Sequence, residues 1–194
     1  MVVKFTEEQL LPIKEEIKKI KNNFNKHTRY NQYLAGNIEH EYKLETSIKY
    51  LENLLLPYVS EYDKKYDLYS HFRYANHQQE IILNDAWVNF QKKYEFNPMH
   101  SHSGILSFVI WIQVPYFVND ELYYQESSAP SGGAFQFSFV NHLGRMDSIT
   151  IPVGKEKENN MLLFPSNFVH QVYPFYNTNG YRISVSGNFY LAKI

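Results

Sequence analysis

The sequence contains no cysteine among its 194 residues. This absence excludes disulfide-stapled scaffolds, thiolate zinc sites, iron–sulfur clusters and cysteine nucleophiles, and it leaves histidine, aspartate and glutamate as candidate metal ligands. A strong charge of one sign is also missing, because the formal net charge is −1 and charged residues make up 20% of the chain. We therefore expect neither a nucleic acid nor an anionic membrane surface as a partner.

Long hydrophobic runs are absent as well. The longest apolar stretches, such as Phe108–Ile112, are far too short to cross a bilayer. The first residues, MVVKFTEEQ, lack the apolar segment and the cleavage site of a secretory signal. We expect a soluble cytoplasmic protein, and its length suits one structural domain.

Two stretches in the first third of the chain have helical periodicity. Residues 6–25 carry an apolar side chain every three or four positions, and Thr6 with Gln9 has the pattern of a capping box. Residues 44–66 repeat this periodicity, with Pro57 as an expected kink or break. We expect both helices to pack their apolar faces on the outside of a sheet.

From about residue 79 the pattern is that of β-structure, with alternating aromatic and β-branched residues and frequent Gly or Pro. The predicted strands are 80–94, 107–114, 134–140, 148–153, 161–165, 172–176 and 181–191. Seven short strands without intervening helices predict an antiparallel sandwich or jelly roll. The predicted fold class is α+β and mainly β, with a helical region at 1–78 packed on a β core at 79–194. The sequence of residues 119–133 predicts a long loop that could close over a site.

Three of the eight histidines are candidate metal ligands. His100 and His102 stand two apart in FNPMHSHSG, so an extended backbone would point both rings to one side. His170 ends the segment LLFPSNFVH, and a sheet could bring it to the pair. An HxH pair also arises by chance, and its position beside predicted strands is what favours a metal. The remaining histidines are interpreted as surface residues: His27, His40, His71, His77 and His142.

Arg182 is a candidate for binding an acid. In the last predicted strand, Arg182, Ser184 and Ser186 alternate with apolar residues and so share one face. A guanidinium group binds a carboxylate through two hydrogen bonds, and a serine two residues on could add a third, which suits a dicarboxylic acid. The same stripe would also fit the solvent face of an edge strand. Further candidates for ligand contact, if they face inward, are Asn89, Gln91, Ser107, Trp111 and Gln113.

Together these motifs resemble the double-stranded β-helix superfamily of 2-oxoglutarate and iron(II)-dependent oxygenases. The resemblance rests on the HxH pair, LLFPSNFVH and RIS, and it covers roughly residues 85–191. It is closest to a branch with HxH and FPxxxxH motifs, which includes homologues carried by marine bacteriophages; a phage-encoded chain would lie in the host cytoplasm. The resemblance implies a double-stranded β-helix for the β core. The site residues that it implies are His100, His102 and His170 for Fe(II), and Arg182 with Ser184 for 2-oxoglutarate.

One position departs from the pattern of the superfamily. Most members have Asp or Glu where this chain has His102, which gives a site of two histidines and one carboxylate. Either three histidines bind the metal here, or a carboxylate from elsewhere completes the site, with Glu121 and Glu126 as the nearest candidates. A neutral ligand offsets less of the ion's charge, so this position affects metal affinity and reaction outcome.

The resemblance implies a dioxygenase that uses 2-oxoglutarate and dioxygen, releases succinate and carbon dioxide, and hydroxylates a substrate. A peptidyl group, for example prolyl, and a small molecule both remain open as the substrate, and a homodimer is compatible with the sequence. One alternative is a cupin-like metal enzyme or sugar-binding jelly roll without 2-oxoglutarate, against which the RIS motif argues. The other is a non-catalytic jelly-roll scaffold, which the histidine at the carboxylate position keeps open.

Overall fold

The computed structural model describes residues 1–68, 79–123 and 126–192, and within these ranges the chain folds into ten strands and three α-helices. The strands are β1 (Val2–Lys4), β2 (Glu41–Lys43), β3 (Ile81–Gln91), β4 (Asn97–His100), β5 (Leu106–Gln113), β6 (Phe135–Val140), β7 (Met146–Ile151), β8 (Asn160–Pro165), β9 (His170–Val172) and β10 (Arg182–Leu191). The helices are α1 (Glu7–Asn22), α2 (Ile48–Tyr66) and α3 (Val118–Tyr123). Short 3₁₀ turns occur at Phe24–Lys26, Asn31–Tyr33 and Lys155–Lys157.

The strands form two antiparallel sheets. The large sheet has six strands in the order β1-β8-β5-β10-β3-β2, and the small sheet has four in the order β4-β9-β6-β7. This mainly β architecture of two sheets confirms the predicted fold class. In the described part of the chain, no helix is long and apolar enough to span a membrane.

The predicted strand at 172–176 is wrong in its extent, because β9 covers His170–Val172. The backbone beyond it takes other partners: the Pro174 carbonyl accepts from the Gly133 amide, and Pro174 has no N–H to donate to a sheet. The strands β1, β2 and β4 were not predicted. Each has only three or four residues, which is too short for a period of two to stand out from chance.

Buried apolar residues lie on both faces of the large sheet. Its outer face packs on α1 and α2, where Leu10 and Leu51 lie in one buried cluster with Phe90 and Val185. This arrangement confirms the expected position of the helices. A second buried cluster, which includes Trp111, fills part of the space between the two sheets.

Strand β10 lies in the interior of the large sheet, between β5 and β3. The alternative that its polar stripe faces solvent on an edge strand is therefore wrong. Ser184 is the partner of Asn89 on one side and of Trp111 on the other, and Asn89 is in turn the partner of Glu41 on β2. Directly paired residues project to the same face of a sheet. The register thus forms one row of side chains across four strands, and this row faces the small sheet.

Both edges of the large sheet come from the first 43 residues. Strand β1 pairs with β8 at one edge and β2 pairs with β3 at the other. The region 1–78 therefore contributes strands as well as helices to a core that it shares with the rest of the chain. The division at residue 78 stays a prediction.

The start of each long helix has a local cause. The side chain of Thr6 accepts from the Gln9 amide and the side chain of Gln9 accepts from the Thr6 amide, which confirms the capping box. Helix α2 begins at Ile48, four residues later than predicted. The amides of residues 45–47, with the Ser47 hydroxyl, donate to the carboxylate of Glu16 at 2.5 to 2.9 Å, and this network ties α1 to the start of α2.

Glu16→Ala is expected to lower the free energy of unfolding by about 2 to 3 kcal/mol, because it leaves buried donors without an acceptor. Burial raises the pKa of Glu16, but the hydrogen bonds from Ser47, Thr46 and Glu45 outweigh it, so the pKa lies below its usual 4.5. The ionised form therefore stabilises the fold above pH 4.5, and the wild type loses this contribution as the pH falls through the lowered pKa. Denaturant unfolding at several pH values measures both effects. Glu15→Ala, on the exposed neighbour, serves as control; equal stability of the two variants would contradict the prediction.

Candidate metal centre and adjoining cavity

The three predicted histidines lie together at one end of the small sheet. His100 on β4 and His170 on β9 are direct partners in the antiparallel register, so their side chains project to the same face. His102 lies two residues beyond His100, and its amide donates to the Ser166 carbonyl at 2.8 Å. The ring centroids of the three imidazoles lie 4.3 to 5.1 Å apart.

The ligating atoms of these histidines all lie within 4.8 Å of one another, so the group could hold one metal ion. In His100 and His170, Nδ1 lies 2.7 and 2.8 Å from the carbonyl oxygens of Pro98 and Phe168. When Nδ1 donates to that carbonyl, Nε2 keeps its lone pair for a metal. Such a bond also fixes the orientation of the ring.

Burial keeps these imidazoles neutral. It lowers the pKa of His102 to about 3, with a further contribution from the other two histidines. It also lowers the pKa of His170 to about 4 and that of His100 below its usual value. Neutral imidazole is the form that binds a metal ion, so the apoprotein holds the three rings in the required state at neutral pH.

Within the described residues, no carboxylate belongs to this group. Glu121 is fully buried on α3, where it accepts hydrogen bonds from the amides of Tyr176 at 2.6 Å and Asn177 at 3.1 Å. Glu126 is exposed. Neither of the two glutamates considered from the sequence therefore lies with the histidines, and the donor set that the structure brings together is three imidazoles.

Aromatic rings surround His170. The Phe135 ring stacks on its imidazole at 5.3 Å between centroids, and Phe164 and Phe137 contact it edge-on at 5.0 and 6.2 Å. The Trp87 ring lies 5.9 Å from the His102 imidazole between centroids. Such an apolar surround limits access of water and strengthens electrostatic interactions at the site.

A cavity extends from the histidines along the inner face of the large sheet. The cavity is narrow, because the centres of water-sized spheres can occupy only about 50 Å³ of it, and it is partly open to solvent. His100, His102 and His170 line it together with Arg182 and Ser184. The two groups of residues that the sequence motifs single out are thus joined by one cavity, although they are far apart in the chain.

The guanidinium group of Arg182 is buried at the wall of this cavity, with 2% of the residue exposed. Nε and Nη2 both donate to Oε1 of Gln91, at 3.0 and 2.6 Å. Nη1 donates to the Tyr116 hydroxyl and the Gly133 carbonyl, and Nη2 also donates to the Tyr173 carbonyl. All five N–H donors therefore have protein acceptors, and a ligand would reach this cation by exchanging one of them.

Polar groups beyond the predicted ones also line the cavity. Ser184 accepts from Nδ2 of Asn89 at 3.2 Å, whereas the Oδ1 atoms of Asn89 and Asn97 are buried without a hydrogen-bond partner. Glu41 lines the cavity as well, and 1% of this residue is exposed. Sequence analysis missed Glu41 and Asn97. The only signal would have been the short strands β2 and β4, which show no distinct periodicity.

Of the remaining histidines, those in the described residues are not part of the metal group. His142 is exposed, and His40 stacks on Phe24 at 4.2 Å between centroids. His27 is partly exposed. His71 and His77 lie outside the described residues.

Solved structures share this fold at low sequence identity. A prolyl-4-hydroxylase from Pseudomonas putida is 11% identical with a TM-score of 0.57, and the match covers 100% of this chain and 92% of the hydroxylase. The protein EvdMO1 is 12% identical with a TM-score of 0.56, and the match covers 99% of this chain and 47% of EvdMO1, so the chain spans about half of that protein. These likenesses concern the fold, which is the double-stranded β-helix of 2-oxoglutarate oxygenases.

No curated protein sequence matches the chain. The model of the family described as "Putative 2OG-Fe(II) oxygenase" matches residues 85–188. This range is more than half of the chain, and it contains the three clustered histidines and Arg182. The chain therefore belongs to the 2OG-Fe(II) oxygenase family, whose cofactor and cosubstrate are Fe(II) and 2-oxoglutarate.

Proposed function

We propose that the protein is a 2-oxoglutarate-dependent dioxygenase that hydroxylates its substrate, with Fe(II) held by His100, His102 and His170. The observation that carries the proposal is the single cavity that these histidines share with Arg182 and Ser184. A metal-binding group at one position and a buried cation at another suit a cosubstrate that chelates the metal and ends in a carboxylate.

The three histidines offer ring nitrogen atoms that can bind one metal ion. His100, His102 and His170 would supply the protein ligands of Fe(II), and the ion would bind the keto acid and dioxygen from the cavity. Because all three imidazoles are neutral, the ion keeps its full positive charge toward the cavity. This charge favours a dianionic cosubstrate.

The surroundings of Arg182 fit a carboxylate. Oε1 of Gln91 accepts hydrogen bonds from both Nε and Nη2 of Arg182. These two N–H donors form the fork of the guanidinium group to which a carboxylate binds in a bidentate pair. Hydrogen bonds to a charged acceptor are stronger than those to a neutral amide. We therefore propose that the distal carboxylate of 2-oxoglutarate replaces Gln91 at this fork, with the Ser184 hydroxyl as an additional donor.

When bound, the iron and 2-oxoglutarate supply the oxidation: one oxygen atom of dioxygen enters succinate, carbon dioxide leaves, and the other oxygen atom hydroxylates the substrate. The protein positions the cosubstrate through Arg182 and Ser184. The rings of Phe135, Phe137 and Phe164 keep water from the site. The substrate is a peptidyl group, for example prolyl, or a small molecule.

Formation of succinate tests the proposal. Purified protein with Fe(II), 2-oxoglutarate and dioxygen is expected to form succinate, slowly without substrate and faster when a substrate is added. Omission of iron or of 2-oxoglutarate should abolish the reaction. Failure to form succinate, with iron and 2-oxoglutarate shown to be bound, would contradict the proposal.

His170→Ala is expected to lose most of the bound metal, because it removes one of three ligands and its bond to the Phe168 carbonyl. Metal content after equilibration with manganese(II) and gel filtration measures the loss. His142→Ala, at an exposed histidine, should retain the wild-type content. A wild-type protein that binds no metal would instead support the non-catalytic scaffold, and equal metal content in both variants would exclude His170 as a ligand.

Arg182→Lys is expected to weaken 2-oxoglutarate binding roughly ten- to hundredfold, the equivalent of about 1.5 to 3 kcal/mol, because lysine lacks the planar fork. Calorimetric titration of the manganese-loaded protein measures the affinity, and the metal content should not change. Gln91→Glu tests the same contact without altering Arg182, because an internal carboxylate would compete with the cosubstrate. Arg145→Lys, at an exposed arginine, is the control. Wild-type affinity in both Arg182→Lys and Gln91→Glu would exclude this carboxylate site.

A further inference from the structure

The cavity has a corner at the edge of the large sheet that the proposed chemistry does not use. It is formed by Glu41 on β2, Asn89 on β3 and Asn97 on β4, and it is closed by the segment around Gly36. We call these three polar residues the acceptor corner. In the row of paired residues, Glu41 lies two strands away from Ser184, which is roughly 10 Å across the sheet.

Oxygen atoms from this corner converge on one small space. A Cβ atom added at Gly36 would collide with Oδ1 of Asn97 and would lie 2.8 Å from Oε1 of Glu41. Only a residue without a side chain leaves room there for both oxygens. The absence of a Cβ at this position therefore preserves a cradle between the two acceptors.

The two asparagine oxygens in this corner lack hydrogen-bond donors. Oδ1 of Asn89 and Oδ1 of Asn97 are buried without a hydrogen-bond partner, and 5% of Asn89 is exposed. Buried polar atoms in folded proteins are nearly always paired, so two such atoms in one cavity indicate a missing partner. Nδ2 of Asn89 is already bound to Ser184, which leaves its oxygen to face the cavity.

The carboxyl group of Glu41 has no cationic partner among the described residues. Glu41 is buried, and within the described residues it forms no ion pair and accepts one hydrogen bond, from Nδ2 of Asn31 at 3.3 Å. Burial and, to a lesser extent, the charge of Glu95 together raise the pKa of Glu41 to about 8, so the carboxyl group is largely protonated at neutral pH. A cation bound beside it would lower this pKa and ionise the group. A buried carboxyl group of this kind gains most from a ligand that brings both N–H donors and positive charge.

We propose that Glu41, Asn89 and Asn97 bind a protonated amine or guanidine group of the primary substrate. This inference rests on the proposed function, because it places the substrate in the same cavity as the metal and 2-oxoglutarate. An ammonium or guanidinium group has several N–H donors and no acceptor, which complements a set of oxygen atoms that lack donors. The acidic corner disfavours an anionic substrate, whereas the guanidinium group of Arg182 suits the anionic cosubstrate.

Binding of defined probes to the loaded protein tests this inference. The protein is loaded with manganese(II) and 2-oxoglutarate, so that ligands bind without turnover, and is titrated in a calorimeter. The probes are L-arginine, L-lysine and L-norleucine, each as the free amino acid and as the Nα-acetyl amide, with Nα-acetyl-L-citrulline amide as the neutral match for arginine. The blocked derivatives separate a side-chain cation, as in a peptide, from the α-ammonium group of a free amino acid. At least one cationic probe is expected to bind at least tenfold more tightly than its neutral match.

Two variants locate the binding site. Glu41→Gln keeps the shape of the side chain but removes its charge, and it should weaken the cationic probe roughly tenfold or more. Gly36→Ala fills the cradle and should weaken the same probe. Both variants should keep the wild-type metal content and affinity for 2-oxoglutarate. Glu45→Gln, at an exposed neighbouring glutamate, is the control and should bind the probe as the wild type does.

The outcomes separate this inference from the proposed function. A protein that binds neither metal nor 2-oxoglutarate overturns the proposed function and the inference with it. A loaded protein that binds 2-oxoglutarate but no cation more tightly than its neutral match overturns the inference alone. Unchanged affinity for the cationic probe in both Glu41→Gln and Gly36→Ala would also overturn it.

Discussion

The different chemistry of the two faces of β10 is the constraint on which the rest of the structure depends. Ile183 and Val185 face the helices, whereas Arg182 and Ser184 face the cavity. A register shift of one residue would exchange these faces and place the guanidinium group in the apolar core. The buried clusters on the helical side therefore fix the position of the polar groups on the other side, and stability and site geometry have the same origin.

Charge is distributed unevenly along the cavity. Three neutral imidazoles leave the charge of a bound metal unreduced, and Arg182 adds a second positive group whose donors are held by Gln91 and by backbone and hydroxyl oxygens. Glu41 is the acidic group on the cavity wall farther along the same sheet. On the proposed roles of these groups, an anionic cosubstrate binds at Arg182 and a cationic substrate group binds at Glu41, so one cavity separates two ligands of opposite charge.

Structural features that follow from hydrophobic periodicity and from motifs could be predicted from the sequence. The two long helices, six of the seven predicted strands and the convergence of the three histidines follow from alternation and from the positions of HxH and His170 beside strands. The short strands β2 and β4 could not be predicted, because long-range pairing rather than local pattern forms them. Glu41 and Asn97 were missed for this reason. Likewise, no local signal indicates that Gln91 would occupy the fork of Arg182, since that contact depends on the register of β10 with β3.

The origin of both edge strands in the N-terminal region affects how the molecule can be divided and how it folds. Without β1 and β2, the family-matched segment 85–188 would expose the unpaired backbone of β8 and β3, and open edges of this kind promote pairing between chains. The large sheet is complete only when residues 2–4 have paired with residues 160–162, which are very distant in the sequence. Such contacts slow folding, so a polypeptide emerging from the ribosome must keep β1 unpaired until β8 has been synthesised.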